Sequence, residues 1–139
     1  MDIFSGSGIE VHVLALHPGE YVMESVKALI EEKGIRNGAV VSGMGTLDYC
    51  KMHMGGREGI VMQTWDDTPL EFTGMQGVIA DGKTHIHWTV SDKQSAVAGH
   101  PHDGCRIFRV GEIVVVEFKD ISLMRAPGPK GPDILMAKN

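Results

Sequence analysis

Cysteine is scarce in this chain: Cys50 and Cys105 are the only two, far apart and in no paired-cysteine motif. That excludes the disulfide framework of a small secreted domain, and both thiols are expected to be reduced and buried. No apolar run approaches the roughly 20 residues needed to cross a bilayer as a helix, so no membrane partner is expected. The N-terminal Met1-Asp2-Ile3-Phe4-Ser5-Gly6-Ser7-Gly8 lacks a basic stretch followed by an apolar core. A secretory signal is therefore not expected, and the reading is cytoplasmic. Basic runs are also missing, and the formal charge is −5. Generic nucleic-acid binding gains affinity from Lys and Arg releasing counterions, so this balance works against it. No repeat of solenoid spacing and no internal linker is found.

The 139 residues, 42% of them hydrophobic, suit one domain over residues 1–139 that buries a core without staples. Its core is expected over about residues 10–125. The Pro/Gly-rich tail, 126–139, reads as an extended arm or frayed end. Ile9 to Leu16 alternates as a strand. Val22, Val26, Leu29 and Ile30 recur at helical spacing, which predicts one main helix over about residues 21–33, stopped by Gly34. The rest reads as strands: Ala39 to Ser42, Leu47 to His53, Ile60 to Trp65, Leu70 to Ala80, Thr84 to Val90, Cys105 to Val110 and Ile113 to Phe118, the last two joined by a turn at Gly111-Glu112. The expected class is α+β, a curved and mostly antiparallel sheet with the helix packed on it.

Four of the seven histidines fall within eighteen residues, in Thr84-His85-Ile86-His87-Trp88-Thr89-Val90 and Gly99-His100-Pro101-His102. A strand has period two, so His85, His87 and Thr89 share one face while Ile86, Trp88 and Val90 face the core. Opposing Val90 with Val97 across the polar loop Asp92 to Ser95 keeps apolar residues together, and a slip of one residue would invert every side chain. That register sets Gly99 against the bulky Trp88 and His100 against His87, so His85, His87 and His100 share one surface. Facing Cβ atoms are roughly 5 Å apart, within reach of one ion about 2.0–2.1 Å from each nitrogen. Three imidazoles without a fixed fourth ligand are an open first-row metal site, with Zn2+ the first choice. Nickel, iron(II), cobalt and manganese suit the same donors. His102 falls opposite His85 and is a reserve ligand, although Pro101 lacks a ladder donor.

Other features have simpler readings. Ser42-Gly43-Met44-Gly45-Thr46 fits neither a dinucleotide fingerprint nor a phosphate loop, and reads as a turn or bulge. Gly55-Gly56-Arg57-Glu58-Gly59 reads as a hairpin loop. The nine methionines are expected to fill core. A catalytic version of the metal site needs a general acid or base, for which Glu71, Glu112, Glu117 and His53 are available. Glu117, in Ile113-Val114-Val115-Val116-Glu117-Phe118, otherwise reads as the solvent face of an edge strand.

In order, Leu16-His17-Pro18-Gly19-Glu20, Glu24-Ser25, Val41-Ser42-Gly43-Met44-Gly45-Thr46-Leu47, Gly74 to Ile79, His85-Ile86-His87 and Ala98-Gly99-His100 resemble the PPC domain (DUF296). The resemblance covers roughly Glu10 to Arg125. It implies an α+β fold with a curved antiparallel sheet, a homotrimer and, in some prokaryotic members, a metal held by histidines at the positions of His85, His87 and His100. Through the wider fold group it is distantly similar to acetolactate decarboxylase, a metalloenzyme. A small-molecule ligand, a DNA-associated role and a purely structural metal are the functional readings it leaves open. The chain departs from the family at Gln94-Ser95, often Asp-Gly, and at Ala98-Gly99, often two glycines. It has no Arg-Gly-Arg-Pro core of an AT-hook, so nucleic acid is the weaker partner.

Overall fold

The computed structural model describes residues 1–129 and 131–138. Its elements are β1 (Ile9–Leu16), α1 (Val22–Lys33), β2 (Gly38–Gly56), β3 (Gly59–Ala80), β4 (Lys83–Ser91), β5 (Ala96–Pro101), β6 (Arg106–Phe118), β7 (Leu123–Pro127) and β8 (Asp133–Ala137). Strands β1 to β6 form one antiparallel sheet in the order β1-β6-β2-β3-β4-β5. The fold is α+β, mostly antiparallel sheet with a single helix among the described residues.

The helix forms where the apolar spacing places it. Val22, Met23, Val26 and Ile30 are buried, and Gly34, with φ 66°, closes the last turn in the left-handed conformation that glycine adopts without cost. The buried face packs into a core with Leu47, Phe72, Met75, Ile107, Ile113, Val115 and Trp88. The rings of Phe72 and Trp88 meet at 5.0 Å between centroids. Met52 and Met75 fill core, whereas Met44 and Met62 are exposed. Cys50 and Cys105 are free and buried.

Of the two roles open to the glycine-rich segment 42–46, turn or bulge, the structure has the bulge: β2 runs through it with shifts of register. Two other expectations need correction. Gly111-Glu112 is not a turn, because β6 is continuous and Gly111 pairs with both Leu16 and Gly45. A Cβ at Gly111 would come within 2.6 Å of Ile107 Cδ1, so glycine is there for close packing inside a strand. The tail is not a frayed arm. β7 and β8 pair as an antiparallel ribbon, tied down by Leu123, which is buried and donates its backbone N–H to Asn37 Oδ1 at 2.8 Å. Lys130, between those strands, lies outside the described residues.

Two irregularities bend the sheet. The β2–β3 register shifts between Leu47 and Tyr49, and the β3–β4 register shifts between Thr73 and Gln76. Bulges of this kind add twist, and the far end of β2 swings round to pair with β5 through Met52↔Pro101 and His53↔His100. The strands β2-β3-β4-β5 thus close on themselves. Opposite the helix, the outer face of β1 and β6 stays apolar. Val11 and Val13 are 55% and 69% exposed and stand against Val116 and Val114.

Candidate metal centre

The alternation of β4 builds half of the site. Ile86, Trp88 and Val90 are buried, which leaves His85 and His87 on the opposite face. The turn into β5 is held by Asp92, whose Oδ1 accepts the backbone N–H groups of Gln94 and Ser95 at 2.7 and 2.8 Å. An Asp side chain caps a turn in this way without needing Asp-Gly after it. The ladder then runs Val90↔Val97, Thr89↔Ala98 and Trp88↔Gly99, the register inferred from the sequence.

Beyond Gly99 the structure departs from that register. His100 does not lie opposite His87, nor His102 opposite His85. β5 crosses to β2, where His100 pairs with His53 and His102 donates its backbone N–H to Lys51 O at 2.9 Å. Gly99 makes the crossing feasible, since a Cβ there would sit 2.5 Å from His53 O. The crossing still delivers His100 to the histidine face of β4. The ring centroids of His85, His87 and His100 are 5.1, 5.4 and 5.7 Å apart, and each ring offers a nitrogen within 4.8 Å of the other two.

His85 Nε2 and His87 Nε2 are 3.3 Å apart. Two nitrogens bound about 2.05 Å from one tetrahedral ion subtend roughly 3.3 Å, so this edge already has the ligand spacing. The donor set also fits: neutral imidazole nitrogens suit zinc and its first-row neighbours. His53 and His102 form a second tier. His53 stacks on His100 with centroids 4.8 Å apart, and its Nδ1 lies 2.6 Å from His102 Nε2. In the sequence His53 is only an available base, with nothing to place it beside His100. Its signal is the strand end Met52-His53-Met54, readable only once β2 and β5 are known to pair.

Electrostatics keep these rings ready for a cation. Loss of water and the imidazoles of His53, His87, His85 and His102 push His100 down to about 4. His85 is lowered too, first by its partial loss of water and then by the charges of Arg125 and His87. His102 is lowered by burial, His53 and Lys51, against the opposing pull of Asp103. At neutral pH the lone pairs of His85, His100 and His102 are therefore free of protons. Beside them is a cleft of about 390 Å³ lined by His100, His102, Lys27, Lys51, Thr84 and Asp103. A larger cleft, about 610 Å³, lies at the end of α1 and the β3–β4 turn and contains none of these histidines.

Of the acids considered from sequence, Glu71 pairs with Ser91, four residues along β4 from His87 and so about 13 Å away. Glu112 pairs with Ala15 and Met44, and Glu117 with Glu10 and Gly38. Glu117 is not on an edge strand, because β6 lies between β1 and β2. It belongs to a separate group with Glu10 and His12, where Lys119 Nζ already lies 2.7 Å from both carboxylates.

Residues 3–119 match the sequence profile of the Plants and Prokaryotes Conserved (PCC) domain. The chain belongs to this family. Solved structures similar to this PCC chain include a protein from Salmonella enterica (Salmonella cholerae-suis), at 23% identity and TM-score 0.84 over 98% of both chains. A metal-containing protein from Archaeoglobus fulgidus matches at 20% identity and TM-score 0.81, over 98% of this chain and 99% of that one. A candidate DNA-binding protein from Bacteroides thetaiotaomicron matches at 22% and 0.79, over 97% and 96%. Identities this low carry the fold alone. Among curated proteins, the bifunctional protein GlmU of a Synechococcus strain is 25% identical over 122 residues, 87% of this chain. The PCC chain spans only 19% of that relative's length. All five histidines of the cluster fall inside the matched residues, whereas β7 and β8 lie beyond them.

Proposed function

We propose that this PCC protein, folded as one domain over its 139 residues, holds a divalent metal, zinc in the first instance, on His85, His87 and His100, and binds or transforms a small molecule at the position left open. One observation carries the reading: the 3.3 Å separation of His85 Nε2 and His87 Nε2, with His100 held neutral beside them. The metal-containing description of the Archaeoglobus relative supports it. An ion held this way polarises a carbonyl or lowers the pKa of bound water towards about 7. The protein's own part is to aim three lone pairs at one point and to hold His100 against His53.

The assembly we propose is a homotrimer. Its support is the apolar outer face of β1 and β6, which a lone chain would expose to water. No helix among the described residues is long and apolar enough to cross a membrane, and a cytoplasmic location fits the reduced thiols. Association with DNA is the second reading, supported by the description of the Bacteroides relative and opposed by the net charge of −5. It requires affinity that falls steeply with salt.

Metal analysis of protein purified without added metal tests the primary reading. About one ion per chain is expected, lost in His87→Ala while the assembly measured by light scattering persists. Equal metal content in the two proteins overturns it.

A further inference from the structure

Arg125 sits in β7, outside the residues that match the family profile, and its surroundings are unusual for a guanidinium. Its Nε is buried without a hydrogen-bond partner, and it joins none of the ion pairs found among the described residues. Folded proteins rarely keep a buried N–H unpaired unless an ion, water or ligand completes it.

The placement of Arg125 follows from the ladder. Leu123 is bonded to Asn37; the adjacent Gly38 pairs with Ile79, and Ile79 pairs with Thr84, the residue before His85. At the same end of the ribbon, where Leu123 pairs with Ala137, Lys138 Nζ bonds Asp81 Oδ1 at 2.6 Å. Alternation puts Arg125 on the same face of β7 as the buried Leu123, turned toward the body of the protein. β7 packs on β3, the partner of β4, and the guanidinium charge is felt at His85.

Charge balance supplies the consequence. Three neutral imidazoles leave a bound divalent ion with its full double charge. The charged groups acting on His85 and His100 are Arg125 and other histidines, and Asp103, which acts on His102, is already paired with Lys27. A cationic site without an internal counter-ion is complementary to an anion, and a guanidinium presents a planar fork of N–H donors that matches an oxyanion. We propose that Arg125 is the anion-binding residue of the three-histidine site: a small oxyanion ligates the open metal position with one oxygen and accepts an Arg125 N–H with another. This rests on the metal reading above and narrows its ligand to carboxylates or phosphates.

The test uses the full chain loaded with Co2+, whose visible spectrum reports changes in coordination. Acetate and inorganic phosphate are titrated separately into the wild type, Arg125→Gln and Arg125→Lys, with bound cobalt counted in each. The expected result is a saturable spectral change with at least one of the two anions. Its affinity should fall about ten- to a hundredfold in Arg125→Gln and less in Arg125→Lys, which keeps the charge and loses the fork, with cobalt retained. The arm that binds tells carboxylate from phosphate. Equal affinities in the wild type and in whichever variants keep cobalt overturn the role of Arg125 alone, as does the lack of a response to both anions in cobalt-loaded wild type. Failure of the wild type to take up cobalt overturns the metal reading and this proposal together.

Discussion

Gly99→Ala is the substitution that most sharply links the path of the backbone to the site. The added Cβ would lie 2.5 Å from the carbonyl oxygen of His53 and 2.5 Å from the Met52 methyl. The methionine tip rotates away at small cost, but the carbonyl belongs to the β2–β5 pairing. Restoring an ordinary contact of roughly 3.5 Å moves β5 by about 1 Å from β2. Overpacking of this kind costs about 1–3 kcal/mol, and at about 4 °C per kcal/mol for a chain of this size the melting temperature should drop by roughly 4–12 °C. The same shift carries His100 away from His85 and His87, so metal affinity should weaken about tenfold or more, the scale seen when the support of a ligand is lost. Thermal unfolding and competitive zinc titration measure the two effects, with Ala98→Ser, at an exposed neighbour, as the near-neutral control. A Gly99→Ala protein with wild-type melting temperature and wild-type affinity would refute the account of why β5 crosses to β2.

The pH dependence has a defined sign. His100 is held at about 4 in the fold against an ordinary 6.5, so the unfolded chain binds the proton more readily. Stability of the metal-free protein should be unaffected by this group above about pH 6.5 and be lost progressively as pH falls towards 4. Urea midpoints across that window should show the loss in the wild type and a flatter profile in His100→Gln; matching profiles would contradict the assignment. At the outer face, Val13→Asp places a charge where the proposed subunit contact lies and should yield monomers by light scattering while circular dichroism stays unchanged. A trimer that survives the change would move the interface elsewhere.

Local features were legible in the sequence because they depend on local rules. The helix boundary follows from Val22, Val26 and Ile30 with Gly34 behind them, and the Val90↔Val97 register follows from keeping Trp88 over a glycine. The hairpin at Gly55 to Gly59 was readable from its glycines, and the strand pair Gly56↔Gly59 bears it out. What escaped depends on tertiary curvature. The crossing of β5 to His53 needs bulges in two other strands, so the second tier of histidines had no signature near His100. The continuity of β6 through Gly111 reflects Ile107 packing over a bare α-carbon, which a turn-like Gly-Glu pair disguises. The run before Glu117 resembles an edge strand because a carboxylate interrupts an apolar stretch, although β6 is flanked on both sides by β1 and β2. The ribbon of β7 and β8 was hidden by a proline- and glycine-rich composition that ordinarily marks a loose end.

An anomalous-scattering crystal structure of zinc-loaded protein, recorded on both sides of the zinc edge, examines the central claim most directly. A single peak per chain, about 2.0–2.1 Å from nitrogens of His85, His87 and His100, is the predicted result. A peak at Glu10, His12 and Glu117 instead, or none among the three imidazoles at full zinc loading, would contradict it.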